Sequence, residues 1–486
     1  MSENYRYSIN LMLATNVNDL RYLQKRYHID EIVYNLIINH CIKQYNKLIR
    51  DKRYKKAKGK ERTKLIEEYG LTKFEIIKYS KTLGKKYKNY LDSKVIQCIA
   101  KRAYTSVQSV LYEGGEYIYF KRYGTLKTIE TDTNINKIQF LGDKIRFNNI
   151  YIKIRKKSLN NPYIQEALKN SKIKYVRIKR LIFNTGYRYY VQVVLEGKPP
   201  KTTKNIPGDV GIDIGTSTIA VSSDKELILK ELAPLSKSYN SKIIATQIKL
   251  ERSRRLNNPD NFNEDGTIRR NSKNFKKKWN ISKTYRKNRN KLRTLYRKKS
   301  AYIKQEHEIL ANDILSMGNN IFVEDMNFKG LQKKAKKTER SDKTSIIVKN
   351  NIEKEVHKYK KKKRFGKSLN NKAPAMLISI IDRKLKYNNN EIHKVDTKTF
   401  KASQYNHITD TYNKKGLSQR GQEILPNVWI QRDLYSAFLL MNSNDDLLST
   451  NRDKCIKTFD NFLILHNICI ESIKQNITKR PESFGF

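Results

Sequence analysis

The amino-terminal part of the chain alternates between one short strand pattern and two long helical patterns. The run RYSINLMLA over residues 6–14 predicts a strand. From Val17 to about Ile49, and again from about Leu71 to Leu111, apolar residues recur three or four positions apart. Basic residues fill the other positions, and the highly charged segment 50–70 is predicted to be an exposed helix or a linker. The pattern indicates a helical domain with a cationic outer face.

The pattern changes at Gly114 and Gly115. From Tyr117 to about Leu195 the apolar segments are short and rich in β-branched and aromatic residues, with turn residues between them: YIYFKRYG, KIQFLG, KIRFNNIYIKI, YVRIKRLIF and YRYYVQVVL. They predict a small β-barrel or sheet. Lys and Arg alternate with the aromatic residues, so this surface either holds a phosphate backbone and stacks bases or is an ordinary solvated cationic face. The segment 197–209, GKPPKTTKNIPGD, predicts a linker.

The charge balance narrows the class of partner. The chain has 486 residues, enough for roughly two to four domains, and 38% of them are hydrophobic, as in folded proteins. Lys and Arg number 101 against 47 Asp and Glu, which gives a formal net charge of +54. Codon bias toward A/T raises the Lys content but does not explain so large an excess over acids. We therefore expect a nucleic-acid partner; a membrane is disfavoured because no apolar run reaches the roughly 20 residues of a membrane span.

The sequence carries neither a recognisable targeting signal nor paired cysteines. The start MSENYRYSINLMLAT lacks the charged and apolar regions of a signal peptide, so an intracellular, cytoplasmic protein is expected. Four cysteines are scattered without a CxxC pair: Cys41, Cys98, Cys455 and Cys469. They predict reduced thiols and favour neither a disulfide framework nor a cysteine zinc site.

Three acids stand at the ends of predicted elements in the second half of the chain. Asp213 lies on a predicted buried strand in DVGIDIGTSTIAVSSD, where a carboxylate needs a partner such as a metal ion. Glu324 follows the strand IFV, after a helix that is predicted to be capped by Gly318. Asp433 lies in or just before the first turn of the helix in PNVWIQRDLYSAFLLMN.

Two of the acids have ordinary explanations when taken alone, because many ATP-binding folds begin like the segment of Asp213 and an acid such as Asp433 often caps a helix. The three together can hold two divalent cations, Mg²⁺ or Mn²⁺, of the kind that hydrolyse phosphodiesters. The sequence contains no GxxxxGK[ST] phosphate loop, so no ATPase is predicted.

The order of GIDIG, VEDMNFKGL and RDLYSA resembles the three split RuvC segments of the TnpB family, the RNA-guided nucleases of insertion sequences, which are close to miniature type V CRISPR effectors. The likeness extends over nearly the whole chain. YHIDEIVYNLIINHCIKQYNKL resembles the family's first recognition helices, and YFKRYGTLKTIE resembles the beginning of its wedge domain. RSRRL and KNRNKLRTLYRKKSAYIKQEHEILANDI resemble its basic helices between the first two acid segments.

The resemblance implies a multidomain α+β fold with a helical recognition lobe, a β-barrel wedge domain and an RNase H-like (RuvC) α/β nuclease domain. The expected segments are the first wedge strand (1–15), the helical recognition domain (16–112), the β-rich wedge domain (113–205), the RuvC-like domain with the first two acids (206–398), a degenerate zinc-ribbon-like insert that binds target nucleic acid (399–428), and the third acid with the carboxyl-terminal tail (429–486).

The resemblance also implies which residues act. Asp213, Glu324 and Asp433 are the expected catalytic and metal-binding residues, with two Mg²⁺ or Mn²⁺ ions. Nucleic-acid contacts are expected from basic residues in the wedge segment and near the basic helices: Lys121, Arg122, Arg254, Arg255, Lys276, Lys277, Lys278, Arg286 and Arg289. The basic runs 273–279, 333–340 and 359–365 are favoured as a nucleic-acid path over solvated tails, and the insert 257–270 is predicted to be a surface loop.

The chain departs from the family where a zinc ribbon usually precedes the third acid. KASQYNHITD and LSQRGQEILPN align with the two CxxC pairs and contain no cysteine, so no zinc is expected. His407 is predicted to be a surface or packing residue and not a ligand. Tyr435 stands where the family often has Asn, which would alter packing near the metals.

The function that these features favour is an RNA-guided endonuclease that cuts duplex DNA beside a short flanking motif, with guide RNA and double-stranded DNA as partners. Two alternatives stay open, an unguided RNase H-fold nuclease or transposase and an RNA-guided repressor that does not cut. A guide from a transposon end or from a CRISPR array, and one or two protein copies per RNA, fit the sequence equally well.

Overall fold

The computed structural model describes residues 5–135, 138–200, 206–269, 278–332, 340–349, 352–359, 365–414, 416, 419–476 and 481–486. The chain divides into two compact units, Met1–Lys201 and Thr202–Phe486. The described residues form one hydrophobic core in the first unit and two in the second, one on each face of its main sheet. No helix among the described residues is long and apolar enough to cross a membrane.

The first unit begins with the predicted strand and long helix. Asn16 starts the helix with a capping box, in which Asn16 and Asp19 each accept a hydrogen bond from the other's backbone N–H. The predicted second helical stretch is two helices, because the side chain of Asp92 caps a new start. The elements are β1 (Arg6–Met12), α1 (Val17–Leu48), α2 (Lys52–Lys56), α3 (Gly59–Glu68), α4 (Lys73–Tyr87), α5 (Ser93–Tyr112), β2 (Thr128–Glu130), β3 (Ile138–Phe140), β4 (Lys144–Phe147), β5 (Ile150–Lys153), α6 (Lys156–Leu159), α7 (Pro162–Asn170), β6 (Ile173–Phe183) and β7 (Gly186–Glu196).

The strands of the first unit form two open antiparallel sheets. One sheet has the order β1-β7-β6-β2 and the other the order β3-β4-β5. The predicted β-barrel is wrong for the described residues, because β2 has only three residues and pairs with β6 alone, so the sheet does not close. The predicted strand YIYFKRYG, residues 117–124, is also wrong; this segment is irregular.

The second unit contains a mixed sheet between helices. Its elements are β8 (Asp209–Ile214), β9 (Thr218–Ser223), β10 (Leu227–Glu231), α8 (Ser236–Leu256), α9 (Lys283–Met317), β11 (Asn320–Glu324), α10 (Phe328–Gln332), β12 (Arg340–Lys349), β13 (Ile352–Tyr359), α11 (Gly366–Lys372), α12 (Pro374–Lys386), β14 (Ile392–Val395), α13 (Thr397–Phe400), β15 (Tyr405–Asn406), β16 (Thr411–Tyr412), β17 (Gly421–Leu425), β18 (Val428–Gln431), α14 (Arg432–Met441) and α15 (Arg452–Asn476).

The main sheet has the order β10-β9-β8-β11-β14. β9 is antiparallel to both β8 and β10, whereas β11 is parallel to β8 and β14. Ile212 and its same-face neighbours pack with α9 and α12, and Phe322 packs on the opposite face with α14 and α15. Gly318 follows α9 as predicted, but its backbone is extended, and a Cβ there would lie 2.3 Å from the Gly208 carbonyl oxygen.

Candidate active site

The site begins where helix α14 lies directly on strand β8. A Cβ atom at Gly211 would stand 1.9 Å from the carbonyl oxygen of Ala437 and 2.4 Å from the amide nitrogen of Met441. Both neighbours are backbone atoms of α14, so only glycine allows this approach. The glycine of the GIDIG segment therefore sets the distance between the strand and the helix.

This contact brings Asp213 and Asp433 to the same level. Asp213 lies two residues beyond Gly211 on the same face of β8, which is about 6.6 Å along a strand. Asp433 lies four residues before Ala437, which is about 6 Å along a helix. The two residues therefore lie on facing elements, one step beyond the close contact, and their charges interact.

Glu324 joins them from the neighbouring parallel strand. Phe322 is paired with Gly211, and Val323 with Ile212, so Glu324 stands beside Asp213 and points to the same face. Glu324 is the last residue of β11, where the strand leaves the sheet. Three acids from segments far apart in the sequence are thus placed at one edge of the β8–β11–α14 layer.

The nearby acidic groups raise the pKa of Asp213. Burial raises the pKa of Asp213 well above its ordinary value, the charges of Asp433 and Glu324 raise it further, and Arg432 lowers it. Burial also raises the pKa of Glu324. Like charges in a poorly hydrated place are unfavourable, and a cation relieves their repulsion.

Arg432 already holds one of the acids. Its Nε and Nη2 donate to Oδ1 of Asp433 at 3.1 and 3.0 Å, and its Nη1 donates to the Gln419 carbonyl oxygen at 3.0 Å. Arg432 is not among the site residues predicted from the sequence. The adjacency of Arg and Asp in RDLYSA is a signal, but only the fold shows that their side chains pair.

The start of α14 is fixed by a buried polar network. Oε1 of Gln431 accepts from the amide of Leu434 at 2.7 Å and caps the helix. The amide of Gln431 donates to Nε2 of His466 at 3.0 Å, and burial lowers the pKa of His466, which keeps that ring neutral and able to accept. These bonds fix the turn that carries Asp433.

The donor set suits a hard divalent cation. Three carboxylates supply only oxygen ligands, which Mg²⁺ and Mn²⁺ prefer. The mutual repulsion at Asp213 is the electrostatic condition that such ions relieve. In the part of the chain that the structure describes, no three His, Cys, Asp or Glu side chains already form a group that could hold a metal ion.

The predicted nucleic-acid residues lie in several elements. Lys121 and Arg122 are exposed in the irregular segment of the first unit, and Arg286 and Arg289 are exposed in the first turns of α9. Lys278 is exposed, while Lys276 and Lys277 lie outside the described residues. Most residues of the basic runs 273–279, 333–340 and 359–365 also lie outside the described residues.

Arg254 and Arg255 are occupied by local partners. Glu251 pairs with Arg254 at 2.9 Å and with Arg255 at 3.2 Å. Both guanidinium groups also approach the ring of Phe262, which begins an isolated β-bridge in the predicted surface loop. They are therefore engaged within the second unit, and their contact with nucleic acid stays a prediction.

The segment predicted to be a degenerate zinc ribbon, residues 399–428, contains the hairpin β15–β16 and strand β17, whose partner β18 begins at Val428. His407 packs inside the core, with its ring centroid 4.6 Å from that of Phe459 and its Nδ1 2.6 Å from Oη of Tyr435. Burial lowers the pKa of His407 to about 4. Of the two sequence-based expectations for His407, packing is confirmed and surface exposure is wrong; Tyr435 is its buried partner.

No protein-family model and no curated protein matches the chain. A cryo-EM structure of a Cas12f1–sgRNA–target DNA complex aligns with 90% of this chain and 99% of that chain, at 12% identity and a TM-score of 0.43. A cryo-EM structure of a CRISPR-Cas12f ternary complex aligns with 89% of this chain and 83% of that chain, at 12% identity and a TM-score of 0.27. At this identity the two alignments transfer no residue role to this chain.

Proposed function

We propose that the chain is an RNA-guided DNA endonuclease whose second unit is an RNase H-like nuclease domain. The observation that carries the proposal is the convergence of Asp213, Glu324 and Asp433 at one edge of the β8–β11–α14 layer. Asp213, Glu324 and Asp433 are each only partly exposed, and like charges close together destabilise a protein, so their presence at one edge favours a chemical role over a structural one.

The three carboxylates would hold two Mg²⁺ or Mn²⁺ ions. When bound, such ions activate water and stabilise the leaving oxygen of a phosphodiester. The protein's own contribution is to position the ligands. Gly211 sets the depth of α14 on β8, Gln431 and His466 fix the first turn of α14, and Arg432 orients Asp433.

Guidance by RNA is supported by charge and by sequence. The net charge of +54 favours a large polyanionic partner. The sequence contains no recognisable helix-turn-helix or zinc-finger pattern that would let the protein read a long DNA site by itself. A protein with mainly cationic, backbone-directed contacts can leave recognition of the DNA sequence to base pairing with a guide RNA, as the resemblance to TnpB implies.

The direct test compares three variants that keep the shape of the acids and remove their charge, Asp213→Asn, Glu324→Gln and Asp433→Asn. We expect each to lose cleavage of guide-matched DNA by on the order of 100-fold or more in Mg²⁺, because the ligands of the metal are lost. RNA and DNA binding should remain, because these groups do not contact the phosphate backbone in this proposal.

The matched control is Asp325→Asn, next to Glu324 but with a side chain that is 64% exposed and 3.5 Å from Lys394. Its cleavage rate should equal that of the unchanged protein. Near-normal cutting by Glu324→Gln would refute the assignment. Guide-dependent DNA binding without cleavage by the unchanged protein would favour the repressor alternative.

A further inference from the structure

The irregular segment 117–123 of the first unit exposes an unusual set of aromatic rings. Tyr117 is 66% exposed, Tyr119 70% and Phe120 51%; these three residues are called the aromatic wall below. Tyr123, just beyond them, is 77% exposed. Clustered exposed aromatic residues commonly mark a binding surface, because large rings gain more from contact with a partner than from water.

The aromatic wall borders a cavity of about 1000 Å³ within the first unit. Thr105, Ser106 and Ser109 of α5, which carry hydroxyl groups, also line this cavity. The volume is at the upper end of the roughly 300–1,000 Å³ of small-molecule sites, so the cavity has room for more than one planar base.

Two polar side chains of α1 hold the end of the segment that carries the wall. The side chain of Asn35 on α1 donates to the Lys121 carbonyl oxygen at 2.9 Å and accepts from the Lys121 amide at 2.8 Å. Glu31, which is 3% exposed, accepts from the amides of Gly124 and Leu126 at 2.9 and 2.8 Å. These bonds fix the backbone although it belongs to no helix or strand.

Glu31 is itself paired inside the unit. Nη2 of Arg180 lies 3.1 Å from Oε1 of Glu31, and Arg180 is 5% exposed. A buried carboxylate is costly unless it is paired and hydrogen-bonded, and Glu31 satisfies this condition through the segment and Arg180 together. Exposed rings on a firmly anchored irregular backbone are preorganised for a ligand, which reduces the entropy lost on binding.

The chemistry of the lining selects the class of ligand. Leu126 is the one aliphatic side chain among the lining residues and is 6% exposed, so the cavity lacks the aliphatic surface that would suit a lipid or an apolar peptide. The lining includes two lysines, Lys121 and Lys127, and one acid, Glu116. Rings, cations and hydroxyls are the groups that stack bases, neutralise phosphates and pair with base edges and ribose 2′-hydroxyls.

We propose that the aromatic wall stacks unpaired bases of RNA, with Lys121 and Lys127 beside the phosphates and the α5 hydroxyls toward the ribose. The inference rests on the proposed function only in taking RNA as the partner. It adds a second binding determinant to the charge of the chain, one that recognises single-stranded segments rather than duplexes.

The test measures binding of a short fluorescent single-stranded RNA to the full RNA-free chain by anisotropy, with DNA of the same sequence and an RNA duplex as further probes. Tyr119→Ala should weaken single-stranded RNA binding on the order of tenfold, because one stacking contact is lost. Tyr119→Trp should retain affinity, since it keeps a ring. Phe74→Ala is the control, because Phe74 on α4 is 72% exposed and does not line the cavity.

Unchanged affinity in both Tyr119→Ala and Phe120→Ala, or an equal loss in Phe74→Ala, would overturn the inference. An equal loss for the RNA duplex would overturn stacking, and equal binding of RNA and DNA would overturn the assignment to RNA. Ultraviolet cross-linking of the single-stranded RNA should place the cross-link in residues 117–123. This experiment measures binding and not cleavage, so its outcome is independent of the nuclease proposal. A protein that binds RNA through the aromatic wall but does not cut DNA in the separate cleavage assay would refute the nuclease proposal alone.

Discussion

Replacing Gly211 by alanine should disable the candidate site without removing any of its acids. The new Cβ would lie 1.9 Å from the Ala437 carbonyl oxygen, whereas ordinary contact begins at 3.4 Å. Helix α14 must therefore retreat from β8 by about 1.5 Å. Since Asp433 is in the first turn of α14, it moves away from Asp213 by a similar distance.

The expected cost follows from this displacement. Misplacement of a reacting group by about 1 Å can lower a rate about 100-fold, so single-turnover cleavage by Gly211→Ala should fall by at least that factor. Overpacking a core costs about 1–3 kcal/mol, which lowers the melting temperature by several degrees. Gly84→Ala is the matched control, because a Cβ at Gly84 on α4 meets nothing within 4 Å.

The assay measures cleavage of guide-matched DNA and thermal unfolding on the same preparations. Gly84→Ala should cut normally and gain up to about 1 kcal/mol of stability from better helix propensity. Gly211→Ala should remain folded at the assay temperature and bind RNA, yet cut slowly. A folded Gly211→Ala protein that cuts within about twofold of the normal rate would refute the role given to the strand–helix contact.

Three further changes test other parts of the account. Arg432→Gln should lower the maximal single-turnover cleavage rate roughly tenfold, because Asp433 loses the two hydrogen bonds that orient it. Arg432→Lys should not restore the rate, and an unchanged rate across a Mg²⁺ titration would contradict this role of Arg432. Burial lowers the folded-state pKa of His407 to about 4, below its unfolded value, so the protein should lose stability as the pH falls through about 6.5 toward 4. Thermal unfolding of His407→Gln should depend less on pH in that range, and an equal pH dependence would contradict this. Neutralising the lysines of residues 276–278 should weaken binding to any nucleic acid and flatten its salt dependence, and an unchanged slope of log affinity against log salt would make that run solvated surface.

Local patterns in the sequence were sufficient where local interactions decide the structure. The periodicity after Val17 predicts α1, and the capping box of Asn16 and Asp19 explains where it begins. The apolar face from Leu434 to Met441 predicts α14 and places Asp433 in its first turn. Both cases depend on residues a few positions apart.

Predictions from the sequence were wrong or incomplete where contacts between residues far apart in the chain determine the structure. The aromatic segment 117–124 has high strand propensity, but Asn35 binds both backbone groups of Lys121 and Glu31 binds the amide of Gly124, which takes these groups from strand pairing. Likewise, the importance of Arg432 depends on the positions of Asp433 and Gln419 relative to its side chain. Spacing along the chain does not determine such contacts.

The central claim is that the RNA selects the DNA site and the three acids cut it. The most direct measurement exchanges the guide segment of the bound RNA and maps the cut in duplex DNA in the presence of Mg²⁺. The account predicts that the cut moves to the sequence that matches the new guide, beside the same short flanking motif, and that RNA-free protein does not cut. A cut site that stays fixed, or equal cutting by RNA-free protein, would contradict guidance and favour an unguided nuclease.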